Sequence, residues 1–183
     1  MSEINPNNTL SDFRTPRALF TTFDDRFMFD LDVAASNENA LCPSFFTQET
    51  DGLKQPWNAA AVWCNPPYSN PKAWISKALA ELEAGHCNVV VMLLNVDTST
   101  TYFHDMIMPC VTELHLVRGR VDFGGPHVQE GTKNPKPSMV CVFTHDIEPA
   151  QQWLNAIYPD GTQTGKQTRL TKFPQMHFIP RSW

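Results

Sequence analysis

The chain has 183 residues, of which 42% are hydrophobic and 18% are charged, as in ordinary soluble globular proteins. This length favours a single domain with a substantial core. The sequence contains no apolar run of the ~20 residues that a membrane-spanning helix needs, and its start lacks the pattern of a secretory signal, so we expect a cytoplasmic protein without membrane contact. The net charge of −5 argues against general adhesion to a polyanion.

Cysteine and histidine usage predicts neither a metal site nor a disulfide framework. The five cysteines are never spaced as Cys-x-x-Cys, and the six histidines show no ligand spacing. Free, mostly buried thiols in a reducing compartment account for this pattern.

Helix-like and strand-like segments alternate along residues 13–109, which predicts an α/β fold with a mostly parallel sheet. In chain order we predict a flexible terminus at residues 1–12, a helix from Thr15-Pro16, strands at 27–33 and 45–46, a turn at 51–53, a strand at 61–64, a helix at 72–84, a strand at 88–94, a helix at 98–108 stopped by Pro109, strands at 111–117 and 138–143, and a short helix at 153–158. The last strand is expected to close the sheet in the antiparallel direction. We assign residues 13–160 to the domain, residues 118–138 to a loop within it, and residues 161–183 to a basic C-terminal tail.

The most informative motif is Asn65-Pro66-Pro67-Tyr68, which follows the strand candidate at residues 61–64. An amino group on a planar ring is a poor nucleophile because its lone pair is delocalised. The Asn65 amide oxygen and the rigidly held Pro66 carbonyl can accept both of its hydrogens and localise that lone pair, while Tyr68 stacks on the ring. A tight turn uses the same residue types, so the motif gains weight from its place at the carboxyl end of a strand, where open α/β sheets hold their chemistry.

A methyl donor that carries a sulfonium, a ribose and an adenine needs close approach to backbone, a carboxylate and a polar group for the adenine edge. Asp32, followed by the small residues 34–36, suits the first two needs, and Asp51 suits the third. Thr15 can bind the amino-acid end of the donor. Each residue also has a local explanation, since Thr15 can cap a helix and both aspartates can form turns.

Basic residues surround the Gly/Pro-rich stretch between the last two predicted strands, among them Arg118, Arg120 and Lys136. Arg118 and Arg120 can bind guanine edges or phosphates. Either arginine can instead pair with Asp122 or Glu130, so contact with nucleic acid is one of two interpretations of this loop.

The chain resembles the phage-type DNA N6-adenine methyltransferases over roughly residues 13–145. The segments that carry the resemblance keep their order and spacing; they are Thr15-Pro16-x-x-Leu19-Phe20, Asp30-Leu31-Asp32-Val33-Ala34-Ala35, Asn39-Ala40-Leu41-Cys42, Asp51-Gly52-Leu53, Trp63-Cys64-Asn65-Pro66-Pro67-Tyr68-Ser69, Trp74-x-x-Lys77-Ala78, residues 98–104, Gly119-Arg120-Val121-Asp122-Phe123 and Pro137-Ser138-Met139.

The resemblance implies an S-adenosylmethionine-dependent methyltransferase fold, which is a Rossmann-like three-layer sandwich, and methylation of adenine in DNA at N6. The target adenine is expected to leave the duplex, because its amino group cannot be reached while it is paired and stacked. A GATC target and protection of a phage genome follow by family analogy. The implied catalytic residues are Asn65, Pro66, Pro67 and Tyr68. The implied cofactor-binding residues are Thr15, Pro16, Asp32, Val33, Ala34, Asp51 and Asn65, and the expected substrate-binding residues are Ser69, Arg118, Arg120, Lys136 and Ser138.

Two features depart from the wider methyltransferase pattern. No Phe-x-Gly-x-Gly loop follows the first predicted strand, where residues 32–36 stand instead, and no clear acidic residue ends the second strand, so Glu38 and Glu49 are the substitutes for holding ribose hydroxyls. Two alternatives stay open. One is methylation of an RNA adenine or a protein glutamine, and the other is a non-catalytic nucleic-acid-binding module with the same fold.

Overall fold

The computed structural model describes residues 14–123, 134–145 and 175–179. Its helices are α1 (Arg17–Phe27), α2 (Pro71–Glu83) and α3 (Met108–Cys110), the last preceded by a π-helical turn at Phe103–Ile107; its strands are β1 (Leu31–Asp32), β2 (Ser44–Phe45), β3 (Ala61–Cys64), β4 (Val89–Asn95), β5 (Glu113–Val117), β6 (Ser138–Thr144) and β7 (Gln175–Ile179). The predictions for residues 1–12 and 153–158 lie outside these ranges. No helix within the described ranges combines the length and the apolar character needed to cross a lipid bilayer.

The strands form one sheet in the order β2-β1-β3-β4-β6-β5-β7. Neighbours from β2 to β4 are parallel, β6 is antiparallel to both β4 and β5, and β7 is parallel to β5. The predicted mostly parallel sheet with one antiparallel strand is confirmed, although β6 is inserted between two strands that share a direction. The carboxyl ends of β1 to β5 and the start of β6 therefore meet along one edge of the sheet, which we call the carboxyl edge.

The sheet is covered on both faces, which explains the uninterrupted apolar sequence of β4. Residues 89, 91 and 93 belong to one core cluster with α1, and residues 90, 92 and 94 belong to the other with α2. Alternate side chains along a strand point to opposite faces, so β4 must be apolar throughout. The helix–sheet–helix layering matches the predicted three-layer sandwich.

The first predicted strand and the helix predicted at residues 98–108 differ most from the structure. The strand expected at residues 27–33 is only Leu31–Asp32, because Phe27 ends α1 and Met28 closes that helix in the left-handed conformation (φ 53°). Phe27 and Phe29 are apolar because they pack in an aromatic cluster beside α1. The helix predicted at residues 98–108 begins later in the structure, and the π-helical turn at Phe103–Ile107 runs directly into α3, which ends at Cys110, one residue after Pro109.

The C-terminal prediction also needs correction. Residues 161–183 were predicted to be a basic tail, but β7 lies within this range and pairs in parallel with β5 from Glu113 to Val117. β7 is too short for its sequence to show a clear alternation of polar and apolar side chains. The sequence therefore does not distinguish this strand from a solvated segment. Part of the predicted tail therefore belongs to the sheet.

Candidate active site

The Asn65-Pro66-Pro67-Tyr68 motif directly follows β3, a central strand whose four residues are all buried. The start of β3 is fixed by the Asp30 carboxylate, which accepts hydrogen bonds from the backbone N–H groups of Ala60 and Ala61 at 3.0 Å each. Pro66 is buried, while Asn65 is only half-buried. The backbone carbonyl of Pro66 is thus carried by a rigid strand end on the carboxyl edge, as the sequence predicts.

Helix α2 begins immediately after the motif and limits its movement. The Asn70 N–H donates to the Pro67 carbonyl at 3.3 Å, and the Asn70 side chain caps α2 by accepting from the Ala73 N–H at 3.4 Å. The motif therefore stands between a buried strand and a capped helix, which restrain its backbone on both sides.

The aromatic ring of Tyr68 packs against Phe123, with ring centroids 6.1 Å apart and planes tilted by 58°. Burial raises the pKa of the Tyr68 hydroxyl above its usual value, and the side chain is neutral throughout the physiological pH range. Phe123 is 3% exposed and was given no role by the sequence. In the sequence it stands out only as an apolar residue at the end of Gly119-Arg120-Val121-Asp122-Phe123, one of the segments that carry the family resemblance.

A cleft of about 720 Å³ opens beside the motif. Its walls come from the loops after three neighbouring strands and from α2; the lining residues are Val33, Ala34, Ala35, Ser36, Asn37, Glu38, Asn39, Thr47, Gln48, Glu49, Asp51, Gly52, Pro67, Ser69 and Trp74. The structure therefore brings Val33, Ala34, Asp51 and Ser69 together, as expected of one site. Among the described residues, Thr15, Pro16, Asp32 and Asn65 are not part of this lining.

Of the two residues at the ends of the predicted donor site, Thr15 lacks its local explanation and Asp51 has it. No side chain caps α1, whose cap position is Pro16, so Thr15 is not a helix cap. Asp51 does form a turn, with φ at 56°, and its carboxylate accepts from the Leu53 N–H at 3.2 Å. A hydrogen bond from Lys54 holds the pKa of Asp51 below its usual value. The Lys54 ammonium, 3.0 Å from this carboxylate, offsets its negative charge.

The Asp32 side chain turns into the protein instead of into the cleft. It is 4% exposed, and its two oxygens accept from the N–H groups of Ala34 at 3.4 Å and Leu41 at 3.2 Å. The carboxylate therefore shapes the loop that lines the cleft, which differs from the predicted direct contact with a methyl donor. Burial raises the pKa of Asp32 to about 6.

This raised pKa predicts how stability depends on pH. Because Asp32 binds a proton more readily in the folded than in the unfolded chain, its protonation stabilises the fold below about pH 4, and this contribution is lost as pH rises through 6. Asp32→Asn is neutral at every pH. We expect the free energy of unfolding of the natural protein, relative to Asp32→Asn, to fall by on the order of 2 kcal/mol between pH 4 and pH 7.5. Urea unfolding across this range measures it, and parallel profiles for the two proteins would rule the effect out.

Gly52 brings two walls of the cleft into contact. A β-carbon at this position would lie 2.2 Å from the Val33 carbonyl oxygen and 3.2 Å from the Trp74 ring, and the Gly52 carbonyl accepts from the Trp57 indole N–H at 2.8 Å. Only a residue without a side chain fits between the loops after β1 and β2. The sequence showed an Asp-Gly turn here but gave no indication of this close approach.

The cleft carries negative charge. Three acidic residues line it, Glu38, Glu49 and Asp51, and no lysine or arginine does so among the described residues. The Ser36 hydroxyl donates to the Glu38 carboxylate at 2.8 Å and lowers the pKa of Glu38. Glu49 is exposed and has no side-chain hydrogen bond or ion pair within the described ranges. Such a lining suits a ligand with hydroxyl groups and positive charge, and disfavours one with phosphates.

The basic residues predicted to contact substrate fall into two groups. Arg118 and Arg120 follow β5 at the carboxyl edge, and no acidic residue in the described ranges pairs with either of them. Lys136 lies 3.6 Å from the Asp97 carboxylate.

Ser138 is 1% exposed and its hydroxyl accepts from the Asn134 amide, which differs from the predicted contact with substrate. Glu130 lies outside the described residues.

Away from this site, Glu113, His115 and His177 form one group with metal-ligand chemistry in the described part of the chain, their ligand atoms lying within 4.8 Å of one another. Arg26 already holds both oxygens of Glu113, at 2.7 Å and 2.5 Å. The two imidazole rings are stacked 4.6 Å apart with planes 18° apart, so their nitrogen lone pairs run side by side instead of converging. An ion-pair network that ties α1 to β5 accounts for this group.

Comparison with known proteins identifies the family. The sequence model of the family described as DNA N-6-adenine-methyltransferase (Dam) matches residues 5–167. A DNA N-6-adenine-methyltransferase of Escherichia phage T1 is 44% identical over 91 residues, which are 49% of this chain and 37% of that protein. A DNA N-6-adenine-methyltransferase of Haemophilus phage HP1 is 35% identical over 116 residues, which are 63% of this chain and 66% of that protein. The match thus covers less than two thirds of each relative.

The fold has a counterpart among solved structures. A protein of Pyrococcus horikoshii described as a candidate RNA methyltransferase aligns with a TM-score of 0.50 and 14% sequence identity, over 79% of this chain and 91% of that chain. At this identity the likeness concerns the fold alone, and it confirms the expected methyltransferase fold. The family match covers most of the chain and includes the strand-end motif and the cleft loops: the chain belongs to the DNA N-6-adenine-methyltransferase (Dam) family.

Proposed function

We propose that the protein transfers a methyl group from S-adenosylmethionine to N6 of an adenine in DNA. The observation that carries this proposal is the position of Asn65 and Pro66, which directly follow a buried strand and precede Pro67 and Ser69 in the wall of an acid-lined cleft. Family membership and the phage relatives support the same reaction.

The cleft fits the proposed methyl donor. Its volume of about 720 Å³ lies within the range of small-molecule sites. Ala34 and Ala35 allow a ligand to approach the backbone, and the Glu38 and Glu49 carboxylates can accept hydrogen bonds from ribose hydroxyls. The negative lining favours a cation and opposes a phosphate-bearing dinucleotide. S-adenosylmethionine, when bound, supplies an electrophilic methyl group on a positively charged sulfur.

The residues of the motif would activate the acceptor. Asn65 and the Pro66 carbonyl each accept one N6 hydrogen, which localises the nitrogen lone pair and faces the positive charge that develops there. Tyr68, whose hydroxyl stays protonated at physiological pH, offers a ring face to the base. Positioning and fixed dipoles thus supply most of the catalysis, without a covalent enzyme intermediate.

DNA would reach the site from the carboxyl edge. The target adenine must leave the duplex, since its amino group is inaccessible while stacked and paired. Arg118 and Arg120, which have no acidic partner in the described ranges, are available to bind phosphates or guanine edges beside the flipped base. GATC, which the family resemblance suggests, is the first sequence to test. A phage-encoded enzyme of this kind would act in the cytoplasm of the host cell.

Transfer of labelled methyl groups tests the proposal. Purified protein and methyl-labelled S-adenosylmethionine are incubated separately with duplex DNA that contains GATC, with RNA of the same sequence, and with a glutamine-containing protein. We expect label in the DNA alone, and nuclease digestion should release it as N6-methyladenine. Label confined to RNA or protein would favour the alternative acceptors, and absence of donor binding would favour a non-catalytic module.

A further inference from the structure

Asn134 uses its side chain and its backbone to join three separate segments beside the active site. It is 2% exposed, and its amide nitrogen donates to the Asn95 oxygen at 2.7 Å and to the Ser138 hydroxyl at 3.1 Å. Its amide oxygen accepts from the Lys136 N–H at 3.1 Å. Its own N–H donates to the Val121 carbonyl at 3.0 Å. Both ends of the amide and the backbone N–H are thus satisfied inside the protein.

These contacts, which we call the asparagine brace (Asn95, Asn134, Ser138 and the Val121 carbonyl), lie on the carboxyl edge. Asn95 is the last residue of β4, Ser138 is the first residue of β6, and the two are paired in the sheet register. The Val96 N–H donates to the Pro137 carbonyl at 2.8 Å and strengthens the same junction. The brace therefore brings the two ends of the predicted substrate-binding loop together at the strand next to β3.

The brace also connects to the catalytic motif. Val121 is two residues before Phe123, and the Phe123 ring packs against Tyr68 at 6.1 Å. Val121 and Phe123 are both buried, at 0% and 3% exposure, in the core cluster against which Tyr68 packs. A shift of the Val121 backbone would move Phe123 and thereby the surface on which Tyr68 rests, because close-packed interiors transmit small displacements.

We propose that Asn134 is a positioning residue for the DNA substrate, which holds the ends of the loop so that Phe123 supports Tyr68 in the orientation needed to receive the base. This inference rests on the proposed function. Asn134 does not line the cleft, so it acts on the DNA side of the reaction and not on donor binding.

The test compares Asn134→Ala with two other variants. One of them also removes a contact of the asparagine brace, and the other leaves the brace unchanged. Ser138→Ala removes one acceptor of the brace and leaves the other. Thr144→Val removes the 2.9 Å contact between the hydroxyls of Thr112 and Thr144 at the opposite end of β6, and so matches the loss of a hydrogen bond without touching the brace. All four proteins, the natural one and the three variants, are compared by steady-state kinetics at varied DNA concentration. Their donor affinity is measured by calorimetric titration with S-adenosylmethionine, and their stability by thermal unfolding.

We expect Asn134→Ala to lower kcat/KM for DNA ~10- to 100-fold, mainly through KM, because displacement of a positioned group has effects of this size. Ser138→Ala should lower it less, by ~2- to 10-fold, as expected for one hydrogen bond. Thr144→Val should keep the natural value, and donor affinity should be unchanged in all variants. Equal kcat/KM for DNA in Asn134→Ala and Thr144→Val would overturn the inference. So would a loss of donor affinity in Asn134→Ala as large as its loss of kcat/KM for DNA.

Amide hydrogen exchange separates this inference from the proposed function. Asn134→Ala should accelerate exchange at residue 134 and at Val96, whereas Thr144→Val should not. If the natural protein methylates DNA but the variant behaves like the control, the inference alone fails. If the natural protein does not methylate DNA, the proposed function fails, while exchange still reports whether Asn134 holds the junction together.

Discussion

Replacement of Asn65 by alanine is expected to lower the rate of methyl transfer to DNA ~100- to 1000-fold, the usual effect of removing one charge-stabilising group from a preorganised site. The variant keeps the buried β3 strand and the Pro66 carbonyl, so one of two acceptors remains. An amino group held by a single acceptor keeps more of its delocalised lone pair. The expected loss is therefore in kcat, measured by single-turnover transfer of labelled methyl groups.

Asn58 provides the matched control for this variant. It is an exposed asparagine before β3, at the opposite end of the strand from Asn65. Asn58→Ala makes the same chemical change on the same segment of chain and should retain natural activity. Comparable thermal unfolding of both variants would show that the loss is catalytic, and near-natural turnover of Asn65→Ala would refute the role of its side chain.

Replacement of Gly52 by alanine is expected to have the largest effect on the cleft. The added methyl group would lie 2.2 Å from the Val33 carbonyl oxygen, a distance that forces the backbone of one loop to move. Overpacking typically destabilises a protein by ~1–3 kcal/mol, and here the obstacle is backbone, so we expect a loss of ~3 kcal/mol or more in the free energy of unfolding. Because Val33 and Gly52 both line the cleft, affinity for S-adenosylmethionine should fall as well.

Gly85 allows the steric and conformational effects to be separated. It follows α2 with φ at 72°, and a β-carbon there would meet no atom within 4 Å. Gly85→Ala should therefore lose only the ~1–2 kcal/mol of an unfavourable left-handed backbone and keep its affinity for the donor. Urea unfolding and calorimetric titration of both variants make the comparison. Equal donor affinity in Gly52→Ala and the natural protein would show that the two loops are free to separate.

The Asn65-Pro66-Pro67-Tyr68 motif and the elements around it were predictable because their signals are local. β3 occupies residues 61–64 as predicted, and α2 (Pro71–Glu83) begins one residue before the helix predicted at 72–84. A run of apolar residues, two prolines and a helical period lie next to one another in the sequence, so the site could be placed at a strand end before any tertiary contact was known.

The missed features depend on contacts between distant parts of the chain. The sequence suggests that Asp32 faces a ligand, but the fold offers its carboxylate the Leu41 N–H instead. Phe123 gains its role only because the carboxyl edge places it against Tyr68. Asn134 is one of several polar residues in a basic loop until the pairing of β4 with β6 brings Asn95 to it. No periodicity or turn signal encodes such contacts.

The most direct test of the account is a crystal structure of the protein with a donor analogue and a DNA duplex that contains the methylated site. We expect a flipped adenine whose N6 atom lies ~2.7–3.2 Å from both the Asn65 side-chain oxygen and the Pro66 carbonyl oxygen, with Tyr68 against the base. An adenine amino group that contacts neither oxygen in a catalytically competent complex would contradict the central claim.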